Sequence, residues 1–311
     1  MKTSKMNPGK LLIATLTLSL VLASCGKPAV QEKAEDIKTQ TFSNGETFNY
    51  RVLDGLIISD DIIVGTEQEF SGMVSKYEEI LVARQDPEAQ NNKVSPQGVG
   101  IIKNCDITFF FTTCQDSRWK DGKIYYSVDN TFTQTEKQSI AVALADWNMR
   151  VTGVKWIYQP AAANRVAFTR ETDPNACGHS SIGYKGGVQQ LRLQCFSQGV
   201  VQHEMGHAAG LFHEQSRCDR DNYVTIQWAN IKSGYSGNFN KACGNTVSDY
   251  GAYNYNSVMH YGAYGFSSNG KPTIVPKNGV ALSAIGQRVA LDAGDVSALN
   301  KMYAAGTVKY F

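Results

Sequence analysis

The run His203-Glu204-Met205-Gly206-His207-Ala208-Ala209-Gly210-Leu211-Phe212-His213 decides how this chain folds. On a helix, His203 and His207 stand one turn apart on the same face, so two ring nitrogens can converge on one metal ion. Gly210 can take the left-handed backbone conformation that ends such a helix, and the returning chain then brings His213 to the same point. Three neutral imidazoles and a water make a tetrahedral zinc site with an open position, the pattern of catalytic zinc. Glu204, between the two helical ligands, is placed to take a proton from that water rather than to bind the metal. Bare HExxH recurs by chance; its extension through Gly210 to His213 in a chain with only 5 His is far rarer. The other two histidines, His179 and His260, read as packing or cleft-lining residues, because the ligand set is already complete.

Upstream of this run the pattern is regular. Residues 123–128 make a strand candidate, and Thr133 with Glu136 makes a capping box that opens a helix. Ile140, Leu144 and Trp147 share one face of that helix, which should end near Gly153. Short β-like runs at residues 154–158, 165–168 and 188–193 precede a second helix near residues 200–209. Beyond Gly210 the chain is rich in Gly, Asn, Ser and Tyr with little periodicity, apart from a terminal helix over residues 292–303. This predicts an α+β fold with the chemistry at the junction of a regular and an irregular half. No internal repeat appears, which excludes solenoids and propellers.

The chain has 311 residues, 42% of them hydrophobic, and Lys+Arg 30 against Asp+Glu 28 leaves a net charge of +2. That balance gives no electrostatic case for nucleic acid, and the apolar content excludes a disordered chain. Lys2, Lys5 and Lys10 precede an apolar run, residues 11–23, of signal-peptide length. Residues 1–25 therefore read as an export signal, and Leu22-Ala23-Ser24-Cys25 resembles a bacterial lipobox, in which the cysteine is acylated. The alternative is an ordinary small-residue cleavage site with a chance cysteine. Beyond Cys25 remain Cys105, Cys114, Cys177, Cys195, Cys218 and Cys243, an even number that suits a disulfide framework whose connectivity the sequence leaves open. Residues 26–98 are polar, with β-like stretches at 48–52 and 56–64 and a stretch at 84–97 containing Pro87 and Pro96. They read as a folded pro-segment and a cleavable linker ahead of a domain spanning 99–311.

Downstream, Ser257-Val258-Met259-His260-Tyr261 supplies the Met-turn that completes the metzincin signature. Among metzincins, HEMGHAAGLFHEQSR at 203–217 together with SVMHYG at 257–262 resembles the astacin family of secreted zinc endopeptidases. The resemblance extends from about Trp119 to Tyr303, through residues 219–223 and through Gly286, Gln287, Arg288, Asp295 and Asn300. It implies an N-terminal subdomain of twisted sheet and two helices, an irregular C-terminal subdomain, and a zinc cleft between them. His203, His207 and His213 would bind Zn2+, Glu204 would act as general base and then acid, and Met259 would floor the site. Tyr261 would be a switchable fifth ligand whose phenol moves to the tetrahedral oxyanion. Glu214 would accept hydrogen bonds from the N-terminus that activation creates.

Departures from the family pattern are as specific. Astacins commonly link a cysteine near the end of the first helix to one after the terminal Tyr, and here those places hold Gly153 and Ala304. Cys177 and Cys195 fit the family's second bridge; Cys218 with Cys243, and Cys105 with Cys114, are the expected remaining pairs. Ser59-Asp60-Asp61-Ile62 sits where astacin proforms carry a Gly-Asp pair whose Asp caps the zinc, which makes Asp61 the candidate latency ligand. The rival is Cys25 acting as a thiolate switch, a role incompatible with its acylation. The expectation is thus a bacterial, exported zinc endopeptidase, monomeric, acting on proteins or peptides, and inhibited by its own pro-segment. It would be secreted after cleavage of a proform that a lipid on Cys25 could hold at the cell envelope. The competing expectation is a non-catalytic, surface-anchored binding lipoprotein that keeps zinc for stability.

Overall fold

The computed structural model describes residues 37–43, 45, 47–59, 61–72, 74, 75, 78, 118–243 and 249–304. The expected export signal, Cys25, Cys105, Cys114 and the expected cleavage region lie outside the described residues. Among the described residues no helix is long and apolar enough to cross a membrane.

Strands β1 (Lys38–Thr41), β2 (Thr47–Leu53), β3 (Leu56–Ser59) and β4 (Ile62–Thr66) form an antiparallel meander. The single β-like run expected over 56–64 is in fact two strands. Ser59 pairs with Ile62 across a tight connection that contains Asp61, because successive polar residues there favour a turn over a ladder. Phe42, Phe48, Ile57, Val64 and Phe70 give the meander its own apolar cluster.

The rest of the sheet comprises β5 (Lys123–Val128), β6 (Lys155–Tyr158), β7 (Arg165–Arg170), β8 (Gly178–Ser180) and β9 (Val188–Leu193). Strands β6, β5, β7 and β9 run parallel in that spatial order, while β8 lies antiparallel on β9. Strand β4 joins β8 through one parallel bridge, Ile62 to Ser180, so the meander extends the sheet to nine strands. The amino-terminal segment is therefore built into the main sheet.

Helix α1 (Gln134–Arg150) buries Ile140, Ala143, Leu144 and Trp147, one apolar stripe at helical spacing, beneath this sheet. Helix α2 (Gln198–Ala209) is buried on nearly every side. Its last carbonyls have no partner within the helix; Trp119 Nε1 donates to Ala208 O (2.8 Å) and the Tyr303 hydroxyl to Ala209 O (2.8 Å). Gly210 closes α2 at φ 110°, as its position in the sequence predicts. Downstream, apart from the short pair β10 (Val224–Ile226) and β11 (Ile274–Pro276), the chain is mainly turns and single helical turns. It packs a second apolar cluster around Phe239, Tyr261 and Ile274. Helix α3 (Ala293–Ala304) packs, through Leu299 and Met302, into the core that Leu144 and Trp147 of α1 enter.

Two disulfides stand among the described residues, Cys177–Cys195 and Cys218–Cys243, with Cα separations of 4.8 and 5.3 Å. Where the family pattern places a third, hydrogen bonds take its place. Asn300 Oδ1 accepts from Thr152 N (2.7 Å) and Gly153 N (2.9 Å), tying the exit of α1 to α3. Gly153 permits the approach, since a Cβ there would lie 3.0 Å from Tyr303 Cβ.

The capping box of α1 is complete: Glu136 N donates to Thr133 Oγ1 (3.3 Å) and Thr133 N to a Glu136 carboxylate oxygen (2.7 Å). The Arg170 guanidinium, followed by the Thr133 N–H, holds the Glu136 carboxyl down to about 2. A depressed carboxyl stabilises the fold above its ordinary pKa, and that contribution is lost as pH falls through the folded value. Glu136→Gln keeps the capping acceptor and removes the charge. It should lower Tm modestly at pH 6 in low salt, with the gap to wild type closing between about pH 4.5 and pH 2 in calorimetric scans.

Candidate metal centre

Helix α2 brings His203 and His207 to one face, and the turn after Gly210 returns His213 beside them; all three rings are buried. His203 Nδ1 donates to Val258 O and His207 Nδ1 to Leu211 O, both at 2.9 Å. With Nδ1 committed to a carbonyl, Nε2 of each ring carries a lone pair turned toward the third histidine. Burial, reinforced by the positive field of Arg288, pushes His203 down to about 3, and burial likewise lowers His213. His203 and His213 thus favour the neutral form, as metal ligands must.

Into this point projects Asp61 from the β3–β4 connection. Its Oδ2 lies 2.9 Å from His203 Nε2 and 3.2 Å from His213 Nε2, and its Oδ1 lies 3.5 Å from His207 Nε2. One ligand atom from each of Asp61, His203, His207 and His213 falls within 4.8 Å of the others. Lone-pair atoms crowded this closely repel one another unless a cation or protons lie between them. Asp61 Oδ1 and the Tyr261 hydroxyl are also buried with no hydrogen-bond partner among the described residues. Three nitrogen donors and one carboxylate around a shared point fit zinc.

The other residues singled out in the sequence collect around the same point. Glu204 is buried, and Gly178 on β8 makes its space, since a Cβ there would lie 2.9 Å from Glu204 Cγ. Tyr261 stacks obliquely on His213 with ring centroids 4.4 Å apart, its backbone N–H donating to Gln215 Oε1 (3.0 Å). Met259 lies under α2, and Gly206 is required above it because a Cβ would meet Met259 Sδ at 2.7 Å. Glu214 accepts from Asn254 N (2.7 Å), and burial pushes its carboxyl up to about 7 against the pull of that N–H and of Arg217. The turn carrying Met259 is held by Asp295, whose carboxylate accepts from Ser257 Oγ (2.6 Å) and Val258 N (2.9 Å).

His179 and His260 are buried outside the ligand cluster, each bonded to another side chain. His260 Nε2 bonds the Tyr253 hydroxyl (2.7 Å), and His179 Nδ1 bonds Glu171 Oε2 (2.5 Å). The sequence reading missed Arg51, Glu171 and Asp173, which meet beside His179, because nothing local marks charges that pair across more than a hundred residues. Cys25, the rival latency residue, lies outside the described residues.

This geometry has relatives. Zinc metalloproteinase nas-15 of Caenorhabditis elegans is 37% identical over 188 residues, which are 60% of this chain and 32% of that protein. Zinc metalloproteinase nas-14 of the same organism is 36% identical over 198 residues, 62% of this chain and 39% of that protein. The chain thus spans about a third of the length of the first relative and about two fifths of the second. Among solved structures, high choriolytic enzyme 1, a hatching enzyme zinc-protease from the fish Oryzias latipes, superposes with a TM-score of 0.54 at 31% identity, covering 62% of this chain and 98% of that one. Residues 111–304, most of the described chain beyond the meander, match the astacin family of peptidases, and the protein belongs to that family.

Proposed function

We propose that the chain is the latent precursor of a zinc endopeptidase. The observation that carries this reading is the convergence of His203, His207 and His213 beside Glu204, with Asp61 of the amino-terminal segment at their common point. Zinc, held by the three imidazoles, supplies the Lewis acidity that activates water and polarises a peptide carbonyl. Glu204, confined against Gly178, takes the proton from the attacking water and returns it to the departing amine. The Tyr261 hydroxyl, lacking another partner among the described residues, donates a hydrogen bond to the oxygen of the attacked carbonyl. Met259 keeps the floor apolar, and Asp295, through the Ser257–Met259 turn, fixes the carbonyl that orients His203.

Asp61 would keep the precursor silent by occupying the position that water needs, with processing near residues 93–100 removing it. Asp61 Oδ2 at 2.9 Å from His203 Nε2 supports that role. Glu214 is then the acceptor for the new N-terminus. Export and secretion are supported by the leader pattern and the cysteine count; the relatives above are nematode and fish proteins and lend no support to a bacterial source. The two bridges Cys177–Cys195 and Cys218–Cys243 favour an oxidising compartment. The competing binding-lipoprotein reading gains nothing from the comparisons.

The deciding experiment is digestion of a denatured protein mixture by the processed enzyme, with chelator and zinc add-back, the cut sites being read by mass spectrometry. Cleavage should vanish with chelator and return with zinc. Glu204→Gln should retain zinc by metal analysis and lose about 10²–10⁴-fold in rate; wild-type cleavage by that variant would rule the mechanism out. Asp61→Ala in the unprocessed chain should raise cleavage of a peptide substrate about tenfold or more over the silent precursor. A precursor equally silent with and without Asp61 would remove it from latency.

A further inference from the structure

Next to the metal centre the amino-terminal segment makes a second, chemically different contact. Arg51 on β2 reaches across to β8 and the loop before it, where Nη1 donates to Asp173 Oδ2 at 2.5 Å and Nη2 lies 3.5 Å from His179 Nε2. The receiving groups are fixed in advance. Glu171 Oε1 accepts from Thr172 N and Asp173 N, both at 2.8 Å, while its Oε2 takes His179 Nδ1. Asp173 Oδ1 accepts from Asn175 N at 2.8 Å, which turns Oδ2 toward the guanidinium. Glu171 and His179 side chains are sealed from solvent and that of Asp173 is 6% exposed.

The position matters as much as the charge. His179 lies on β8 between Gly178, which packs on Glu204, and Ser180, whose N–H donates to the Asp61 carbonyl (2.9 Å). The acidic pocket therefore lies on the same short strand that borders the general base. Its occupant, Arg51, belongs to the segment whose removal the proposed function requires. When Arg51 departs, Asp173 Oδ2 gives up the guanidinium it now accepts from, and a carboxylate this enclosed favours a replacement cation.

We propose that Glu171, Asp173 and His179 form a specificity subsite for a basic side chain of the peptide substrate, preferentially arginine, which Arg51 fills in the precursor. The proposal rests on the endopeptidase reading and adds a substrate class to it. Arginine suits the pocket better than lysine because its planar fork can engage Asp173 with one nitrogen while the other faces the imidazole.

The test uses pairs of short fluorescent peptides that differ only by arginine or citrulline at one position, scanned across the scissile bond. Citrulline keeps the shape and removes the charge. Processed, zinc-loaded wild type should favour arginine over citrulline about tenfold at one position. Asp173→Asn, which keeps the acceptor for Asn175 N, should bring that ratio near one, and Glu171→Gln serves as an independent second variant. Equal cleavage of both peptides by wild type at every position overturns the subsite, as does a preference that survives in both variants. Binding of the same pairs to the Glu204→Gln enzyme, read by fluorescence anisotropy, separates this idea from the one beneath it. Arginine-selective binding lost with Asp173→Asn upholds the pocket even if wild type cleaves nothing, whereas unselective binding sinks it.

Discussion

Lone pairs that must face one another dominate this structure. Three imidazoles aimed at a single buried point, with a carboxylate among them, are mutually repulsive until a cation or a proton intervenes. The protein holds them there by fixing the far side of the rings. Carbonyls of Val258 and Leu211 anchor two Nδ1 atoms, and Asp295 braces the turn that presents Val258. Helix α2 can carry two of these rings only because it is enclosed by both halves of the molecule. That enclosure in turn demands Gly206 over Met259 and Gly178 beside Glu204.

An enclosed helix has a second cost, since its terminal carbonyls have no water. Trp119 and Tyr303, from opposite ends of the family-matched region, supply the missing donors. Tyr303 sits beside Asn300, whose side chain satisfies two backbone donors at the exit of α1. One end of α2, the exit of α1 and helix α3 are thus knitted at a single corner by side chains. This explains how the fold tolerates Gly153 and Ala304 where relatives of this kind carry a covalent tie: the corner is already cross-linked by polar contacts, and the small residue allows close approach.

What the sequence revealed follows from how local each signal is. The metal ligands share one helix and one turn, so pitch and a glycine suffice to place them. Helix α1 announces itself through a capping box and an apolar stripe, and strands 123–128 and 188–193 through local pattern, and all three appear where expected. Asp61 was found through a resemblance of position rather than through any physical signal in its neighbours. The break of residues 56–64 into two strands was missed because alternation alone does not distinguish a long strand from a tight hairpin. The addition of the meander to β8 and the meeting of Arg51 with Asp173 were out of reach for a different reason. Both depend on pairing between distant segments, whose partner choice is settled by the whole sheet.

That distant pairing has a consequence for the order of assembly. Strands β1 to β4 are neighbours in sequence, close locally into a meander, and possess their own small apolar cluster. During synthesis they can be complete before β8 has left the ribosome, since local hairpins close far faster than chains elongate. Strand β8 has only three residues and, without β4, would stand as the bare margin of a five-stranded sheet. Such a margin offers unpaired amides to any passing strand and is a known starting point for aggregation. A preformed β4 gives it a correct neighbour at birth, so the segment that reaches the histidine cluster also acts as an intramolecular template for the strand at that edge.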